Sequence, residues 1–229
     1  MIDPPPVPIG TGSSLPRVPR PKVHDAALRL RLLECAGATL STRGLAALSL
    51  RTLAADVGTS TTAVYALFGG KPGLLAALHA EAFARLGARL DAVPVGADPV
   101  EDLVALGRAY RDAALADPHF YEVMFGGALP ADEQWWAVAA PILRPVAEVV
   151  NRAATSGVLR PEVDPPTVSL ALWATVHGLV SLHLRGLHPA DAPAPASVVD
   201  VALRAVVAGW LAAPRHSRDG NRRTIEPSY

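Results

Sequence analysis

The side chains best suited to chemistry in this sequence are hydroxyls that crowd one short segment. Residues 58–75 read GTSTTAVYALFGGKPGLL. Hydroxyls donate or accept hydrogen bonds at base edges, and a threonine methyl can contact the methyl of thymine. Tyrosine and lysine are long enough to reach a phosphate. The polar residues singled out here are Thr59, Ser60, Thr61, Thr62, Tyr65 and Lys71.

The helix that precedes this segment has clear start and stop signals. Ser49 is a good N-cap, because its hydroxyl can accept from an unpaired amide of the first turn. An apolar stripe follows at i, i+3, i+4 and i+7, which is the spacing of one buried helix face. Gly58 stands where a left-handed C-terminal residue is preferred. The stripe consists of Leu50, Leu53, Ala54 and Val57.

The second helix begins after two residues, with Ser60 as its cap, and projects two different faces. At 100° per residue, one side gathers Ala63, Val64, Leu67 and Phe68, while Thr62 and Tyr65 lie opposite. Two short helices joined by a tight turn, each with one buried face, are the pattern of a helix-turn-helix unit. The second helix of such a unit enters the major groove of DNA.

The end of the segment adds a site for an anion. Pro72 suits the start of a further helix, and a helix start offers free amides and a partial positive charge. Lys71 places a full charge at the same point. A DNA phosphate is the partner we expect, whereas an isolated loop lysine would simply be solvated.

Charge is distributed unevenly along the chain. The 229 residues carry 21 basic and 21 acidic side chains. Residues 17–85 hold nine Lys/Arg against four acids, and residues 86–214 hold eight Arg against fourteen acids. Such an asymmetry favours contact of the N-terminal part with an anionic partner such as nucleic acid.

The rest of the chain is predicted to be helical. Half of the residues are hydrophobic and only 5% are aromatic, with alanine and leucine dominant, which favours helices over strands. A proline-rich arm (1–22) and a polar tail (214–229) are expected to be disordered. The helices predicted between them span about 24–40, 49–57, 60–68, 72–90, 100–116, a bent helix over 132–157, 167–186 and 197–211, with a short aromatic piece after Pro118.

Several classes of function find no support in the sequence. No nucleophile–base pair or paired carboxylates stand out, so we expect no catalytic residue and no enzyme. Cys35 lies on an apolar stripe and reads as a small hydrophobe. No cluster has metal-ligand spacing, and no cofactor is implied. Residues 167–186 are apolar nearly all round, but two histidines and several hydroxyls favour a core or subunit-interface helix over a membrane span.

Residues 28–75 resemble the TetR family of bacterial transcriptional regulators. SLRTLAADVGTSTTAVYALFGGKPGLL is similar to that family's pattern of a cap, Leu/Ile-Ala, Gly, Ser/Thr, then Val/Ile-Tyr-x-x-Phe, a small residue, Lys and Leu-Leu. Leu67 departs from the His or Tyr that many members place before the phenylalanine. A weaker resemblance joins DPHFYEVMFG and WATVHG to a regulatory-domain subgroup in which a Trp and a His-Gly recur.

The resemblance implies an all-α architecture with a three-helix DNA-binding domain at residues 23–70 and a ligand-binding and dimerisation domain at residues 71–213. It also implies a homodimer paired through helices at about 165–186 and 197–212, and an effector whose binding alters the spacing of the two reading helices. The operator would be double-stranded DNA, and the protein would be cytoplasmic with no membrane partner.

Roles for individual residues follow from these expectations. Ser49, Arg51, Tyr65 and Lys71 would fix position through phosphates, and Thr59, Ser60, Thr61 and Thr62 would read or approach bases. Aromatic residues of the second half are candidates for an apolar effector pocket, although ordinary core packing is the favoured explanation for any one of them alone. These candidates are Phe120, Met124, Phe125, Trp135, Trp136, Trp173 and His177.

The function that these patterns favour is a ligand-responsive, DNA-binding transcriptional regulator, and repression is the expected sign. The alternative is an α-helical small-molecule-binding protein whose helix-turn-helix is non-functional. An enzyme built on the aromatic residues and a membrane-associated protein built on 167–186 are the remaining rivals.

Overall fold

The computed structural model describes residues 22–127, 131–187, 189, 191 and 195–213. Within these ranges the regular elements are helices, and one isolated bridge joins Leu159 to Leu211. The all-α prediction is confirmed. Apart from Lys22, the predicted arm (1–22) and the tail (214–229) lie outside the described residues.

The helices are α1 (Lys22–Arg43), α2 (Leu50–Val57), α3 (Thr61–Phe68), α4 (Lys71–Asp91), α5 (Pro99–Ala116), α6 (Pro118–Phe125), α7 (Glu133–Ala139), α8 (Arg144–Thr155), α9 (Pro165–Leu184) and α10 (Pro195–Ala208), with 3-10 turns at Leu45–Ala47 and Ala140–Leu143.

Helices α1, α2 and α3 form a small unit around a shared apolar centre, to which Leu33, Leu53 and Val64 contribute one buried side chain each. Gly58 ends α2 with a φ of 72°, a left-handed conformation that glycine adopts without strain. Ser60 caps α3 by accepting a hydrogen bond from the Ala63 amide at 3.1 Å. Sequence signals therefore fix both ends of the turn between α2 and α3.

Helix α4 begins in direct contact with the end of α3. A Cβ added to Gly73 would stand 1.9 Å from the carbonyl oxygen of Phe68, the last residue of α3. Only glycine allows this approach. From the same first turn of α4, Lys71 Nζ donates a 2.9 Å hydrogen bond to the Leu45 carbonyl oxygen. These two contacts hold the start of α4 against α3 and against the 3-10 turn.

Helices α6, α8, α9 and α10 pack around α5, which also contacts α4. Aspartates cap the starts of α5, α7 and α9, because each side chain accepts from an amide of the first turn. Ion pairs between Arg108 and Asp200 and between Arg204 and Glu101 join α5 to α10. The capping residues are Asp98, Asp132 and Asp164.

The single bent helix predicted over 132–157 is divided in the structure. Helix α7 ends at Ala139, the 3-10 turn Ala140–Leu143 follows, and α8 starts at Arg144. Pro141 and Pro145 cause this division, because each lacks an amide donor and its ring clashes with the carbonyl four residues earlier. Two such residues one turn apart end the α-helix where a single proline would bend it.

Helix α9 has the length and mean hydropathy of a membrane span, a weak indication because core helices of soluble proteins share these properties. One side of α9 is buried through Val168, Leu172, Val176 and Val180. This side packs on α5, α8 and α10. The contacts agree with the predicted core or interface helix.

Two glycines of α4 give a matched test of the joint between α3 and α4. Gly73→Ala should lower the free energy of unfolding by about 1–3 kcal/mol, because the added methyl meets a backbone oxygen that cannot move without shifting α3. Gly87→Ala should raise it by about 0.5–1 kcal/mol, since a Cβ at Gly87 would meet nothing within 4 Å and alanine favours the helix. Urea unfolding of both variants checks this. Equal effects would contradict the proposed close approach.

Candidate nucleic-acid interface and interior cavity

The outer face of α3 is open to solvent. Thr62 is exposed and the Tyr65 side chain is 54% exposed, while Val64 and Phe68 on the opposite side are buried. Thr61 is half-buried beside them. The helix therefore presents hydroxyls outward and apolar groups inward, as its sequence predicts.

The turn between α2 and α3 uses some of the candidate hydroxyls internally. The Ser60 oxygen accepts from the Ala63 amide, so one of its two lone pairs is already used. Thr59 is half-buried, and its amide donates to the Ala54 carbonyl at 2.8 Å. Ser49 stands at the N-cap of α2, but its hydroxyl makes no capping hydrogen bond. That hydroxyl is exposed and free for an outside partner.

Positive charge without an internal partner lies in this unit. Arg43 and Arg51 are exposed and form no ion pair with any described residue. In the helices that follow, most arginines are paired with acids, so they have little free charge to offer. The paired arginines are Arg85, Arg108, Arg111, Arg144, Arg152 and Arg204 of these helices, and Arg160 of the connection between α8 and α9. An anion would therefore be attracted to the N-terminal unit.

Lys71 has a second role that its sequence position does not reveal. One of its three donors is used by the Leu45 carbonyl. The ammonium is half-buried and keeps two donors and its charge. Lys71 therefore positions the 3-10 turn as well as carrying charge at the start of α4.

A continuous cluster of aromatic rings fills the centre of the C-terminal helices. Phe125 is its hub, with the His177 ring centroid at 4.6 Å, Phe83 at 5.7 Å, Trp135 at 6.2 Å and Trp173 at 6.3 Å. Most of these pairs are edge-on or tilted, as aromatic packing prefers. The structure thus brings four of the seven predicted pocket residues together.

A polar network is set inside this cluster. The hydroxyls of Tyr110 and Tyr121 lie 3.0 Å and 2.9 Å from His177 Nδ1. Because Nδ1 has a single lone pair, it accepts from only one of them. Tyr121 has another acceptor in Ser181 Oγ at 3.1 Å, which leaves Nδ1 to Tyr110. Every member of the network is therefore satisfied.

Burial keeps this network uncharged. It lowers the pKa of His177, helped by the positive charge of Arg185, and it raises the pKa of Tyr110 and of Tyr121. Near pH 7 the imidazole is neutral and both tyrosines keep their protons. The network therefore offers neutral donors and acceptors within apolar surroundings.

An apolar cavity of about 40 Å³ adjoins the cluster. A space of this size holds a few water molecules at most, so a larger molecule would have to separate the helices around it. Tyr110 and Trp173 form its aromatic wall. The other lining residues include Leu103, Leu106, Ile142, Leu172, Val176 and Leu203.

The three remaining pocket candidates lie in other surroundings. Phe120 and Met124 are buried in α6, on the side where Arg85 of α4 also lies. The Arg85 guanidinium stands 4.0 Å from the Phe120 ring centroid. Trp136 is 48% exposed, and its ring centroid lies 4.9 Å from that of its neighbour Trp135, which packs against the core.

The Arg85 side chain links the N-terminal unit to α4 and α6. It donates to Glu34 of α1 at 2.6 Å and to Glu81 of α4 at 3.0 Å. Gly37 of α1 lies next to Leu78 and Phe120, and a methyl added there would be in ordinary van der Waals contact with both side chains. A shift of α4 or α6 would therefore move side chains that contact α1 directly.

Sequence reasoning missed Phe83, Tyr110, Tyr121 and His79 as members of the aromatic region. The first three occupy apolar positions of their helices, where nothing in the sequence separates a cluster residue from ordinary core. His79 was detectable, because it interrupts the apolar stripe of α4 next to Leu78. No group of His, Cys, Asp and Glu among the described residues could hold a metal ion.

Comparison with known proteins gives two family matches. Residues 32–78 match "Bacterial regulatory proteins, tetR family", and residues 103–206 match "Tetracyclin repressor-like, C-terminal domain". The chain belongs to the TetR family. The first match covers α2 and α3, and the second covers Phe125, Trp135, Trp173 and His177 of the aromatic cluster.

Individual relatives agree with this assignment. The HTH-type transcriptional regulator Rv1816 of Mycobacterium tuberculosis is 24% identical over 213 residues, covering 79% of this chain and 91% of the relative. A solved protein of unknown function from Rhodococcus sp. RHA1 is 30% identical with a TM-score of 0.69, covering 81% of this chain and 96% of that one. The TetR family regulator PfmR from Thermus thermophilus is 23% identical with a TM-score of 0.63, covering 78% and 97%, and shares the fold.

The chain is thus a ligand-responsive, DNA-binding transcriptional regulator. TetR family regulators bind DNA operators, form dimers and respond to small-molecule effectors. The subgroup suggested by Trp173, His177 and Gly178 stays a prediction, as do the roles of the individual site residues.

His177 should make stability depend on pH. Because its folded pKa lies below the unfolded value, the unfolded chain takes up the proton first as pH falls below about 6.5, and stability is lost from there down through the folded pKa. His177→Gln should therefore lose less stability than the wild type between pH 7.5 and pH 5.5 in urea unfolding. His119→Gln, at an exposed ring, is the control. Parallel losses in the wild type and His177→Gln would contradict the expectation.

Proposed function

We propose that the protein is a homodimeric repressor that reads its operator with α3 and is released by an uncharged, mainly apolar effector. The observation that supports the reading head is the exposed pair Thr62 and Tyr65 opposite the buried Val64 and Phe68. The description of the C-terminal match as tetracyclin repressor-like supports repression. The aromatic cluster supports the apolar effector. Such a protein would act in the cytoplasm and would not be an enzyme.

The contacts with DNA divide into two groups. Arg51, Tyr65, Lys71 and the free Ser49 hydroxyl would bind phosphates and set the register. Thr62 would approach base edges, because it is exposed on the outer face of α3. Thr61 and Thr59 are half-buried and Ser60 is used as a cap, so they would contribute at the edge of the contact.

Selection of bound sequences from random DNA by the purified protein tests this function. A dimer predicts two inverted half-sites whose centres lie one helical turn, or a multiple of it, apart. Recovery of no sequence preference, together with tight binding of a small molecule, would instead favour a helical small-molecule-binding protein with a non-functional helix-turn-helix.

Single substitutions separate phosphate contacts from base contacts. Arg51→Ala should weaken binding to every sequence and reduce the slope of log K against log salt by about 1. Thr62→Val removes a hydroxyl without changing shape, so it should relax sequence preference and leave the slope unchanged. Fluorescence anisotropy at several salt concentrations measures both. Arg160→Ala, whose side chain is paired in the C-terminal half, is the control. An unchanged slope in Arg51→Ala would contradict the phosphate assignment.

The dimer face is supported by exposed apolar residues on α9 and α10. Leu170, Ala174 and Leu182 are exposed at four- and eight-residue spacing on one side of α9. Gly178 continues that stripe, and a Cβ there would meet nothing within 4 Å. On the neighbouring α10, Val201 is 68% exposed. Contiguous apolar surface of this kind is typical of a subunit interface, and the same patch on both copies would form a two-fold pair.

A charge placed on this face should separate the subunits. Leu182→Glu with Val201→Glu would place two carboxylates of each subunit in an apolar contact, so light scattering should show a monomer and operator affinity should fall. Val95→Glu is the matched control, because Val95 is an exposed apolar residue in the α4–α5 connection and should leave the dimer intact. A dimer that persists in the double variant would exclude this interface.

A further inference from the structure

A second apolar depression lies on the surface between α4 and α7, apart from the interior cavity. We call it the α4–α7 groove, with a volume of about 520 Å³. Pro72, Leu75 and His79 of α4 form one wall, and Trp135 and Val138 of α7 form the other, with Asp132 at the start of α7. Unlike the interior cavity, the groove is large enough for a small organic molecule.

His79 lines this groove and carries an unmet hydrogen-bonding group. Its side chain is only 5% exposed, and Nε2 has no hydrogen-bond partner among the described residues. The Trp135 and Phe83 rings flank the imidazole, with centroids at 5.6 Å and 4.8 Å. Nearly all buried polar groups in folded proteins are paired, and an unpaired one is destabilising. The unpaired Nε2 therefore points to a missing partner.

The charges around the groove restrict what that partner can be. Burial lowers the pKa of His79, opposed by the carboxylate of Asp132, so the imidazole is neutral near pH 7. None of the groove-lining residues is a lysine or arginine. The Asp132 carboxylate already caps α7 by accepting from the Trp135 amide at 2.9 Å. An anionic ligand would meet a negative charge there and no positive one.

We propose that the α4–α7 groove binds an uncharged, mainly apolar molecule whose single hydroxyl or carbonyl group forms a hydrogen bond with His79 Nε2. The apolar body lies against Trp135, Leu75 and Val138. Because Nε2 is covered, the ligand reaches it by displacing the Trp135 ring. This assignment gives the chemical class of the effector of the proposed repressor and the side chain that binds it. Only the description of the ligand as an effector rests on the proposed function.

The location of the groove gives such a ligand a route to the reading head. Pro72 in its wall is the second residue of α4. Lys71 before it holds the Leu45 carbonyl, and Gly73 after it touches the end of α3. A molecule that separates α7 from this part of α4 acts on the helix start that supports α3.

Three matched probes test the groove on the full-length protein: 4-propylphenol, propylbenzene and 4-propylbenzoate, measured by calorimetry at pH 7.5. The wild type should bind 4-propylphenol most tightly and 4-propylbenzoate most weakly. His79→Leu keeps an apolar group of similar size, so it should bind 4-propylphenol about tenfold more weakly, the worth of one hydrogen bond, and propylbenzene equally well. His119→Leu, the same replacement at an exposed histidine of α6 outside the groove, should change none of these.

A thermal melt verifies that the variant folds and gives an independent readout. His79→Leu removes an unpaired buried nitrogen, so its melting temperature should equal or exceed that of the wild type. Undiminished 4-propylphenol binding by His79→Leu, preferential binding of 4-propylbenzoate, or no binding of 4-propylphenol to the wild type at millimolar concentration would each overturn the assignment. Since calorimetry involves no DNA, loss of operator binding in a separate assay would count against the repressor function and not against the groove.

Discussion

The joint between α3 and α4 is the constraint on which the rest of the structure depends. The first turn of α4 can approach the last carbonyl of α3 only because residue 73 is glycine. Through that contact, and through the hydrogen bond from Lys71 to Leu45, the orientation of the reading helix is tied to one long helix. The same helix carries His79, Phe83 and Arg85 toward the aromatic cluster and α6. A change in the C-terminal helices therefore reaches α3 through a single rigid element.

Electrostatics divides the molecule in a matching way. In the C-terminal helices, acids hold most arginines in place, so these ion pairs join elements such as α5 and α10 and leave little charge for a partner. In the N-terminal unit, Arg43 and Arg51 have no such partner among the described residues. The neutral total of the sequence conceals this arrangement. What matters to an anionic polymer is the charge left unpaired, which is concentrated beside the reading helix.

The sequence was most informative where local rules decide the structure. Gly58, Ser60 and the apolar stripes fix the ends and faces of α2 and α3 without help from the remainder of the chain, so the helix-turn-helix unit was predictable in detail. The cavity was not. Which aromatic residues meet depends on how α4, α6, α7 and α9 pack, and a buried Phe120 beside Arg85 has the same sequence signature as a half-buried Phe125 beside His177. The sequence also predicts one helix bent at 141–145, whereas the structure has two separate helices there. Pro141 and Pro145 together interrupt the α-helix, which a single proline would only bend.

The two histidines of the aromatic region illustrate how structure separates packing from function. Both are neutral because burial lowers their pKa values, and both stand among aromatic rings. His177 is surrounded by Tyr110, Tyr121 and Ser181, which satisfy it and make it part of the core. His79 has an unpaired Nε2 beside an open groove. A leucine at position 79 would pack as well and would leave nothing unpaired, so stability alone does not account for a histidine there. An external partner for Nε2 does account for it, and that partner must reach the nitrogen from the groove.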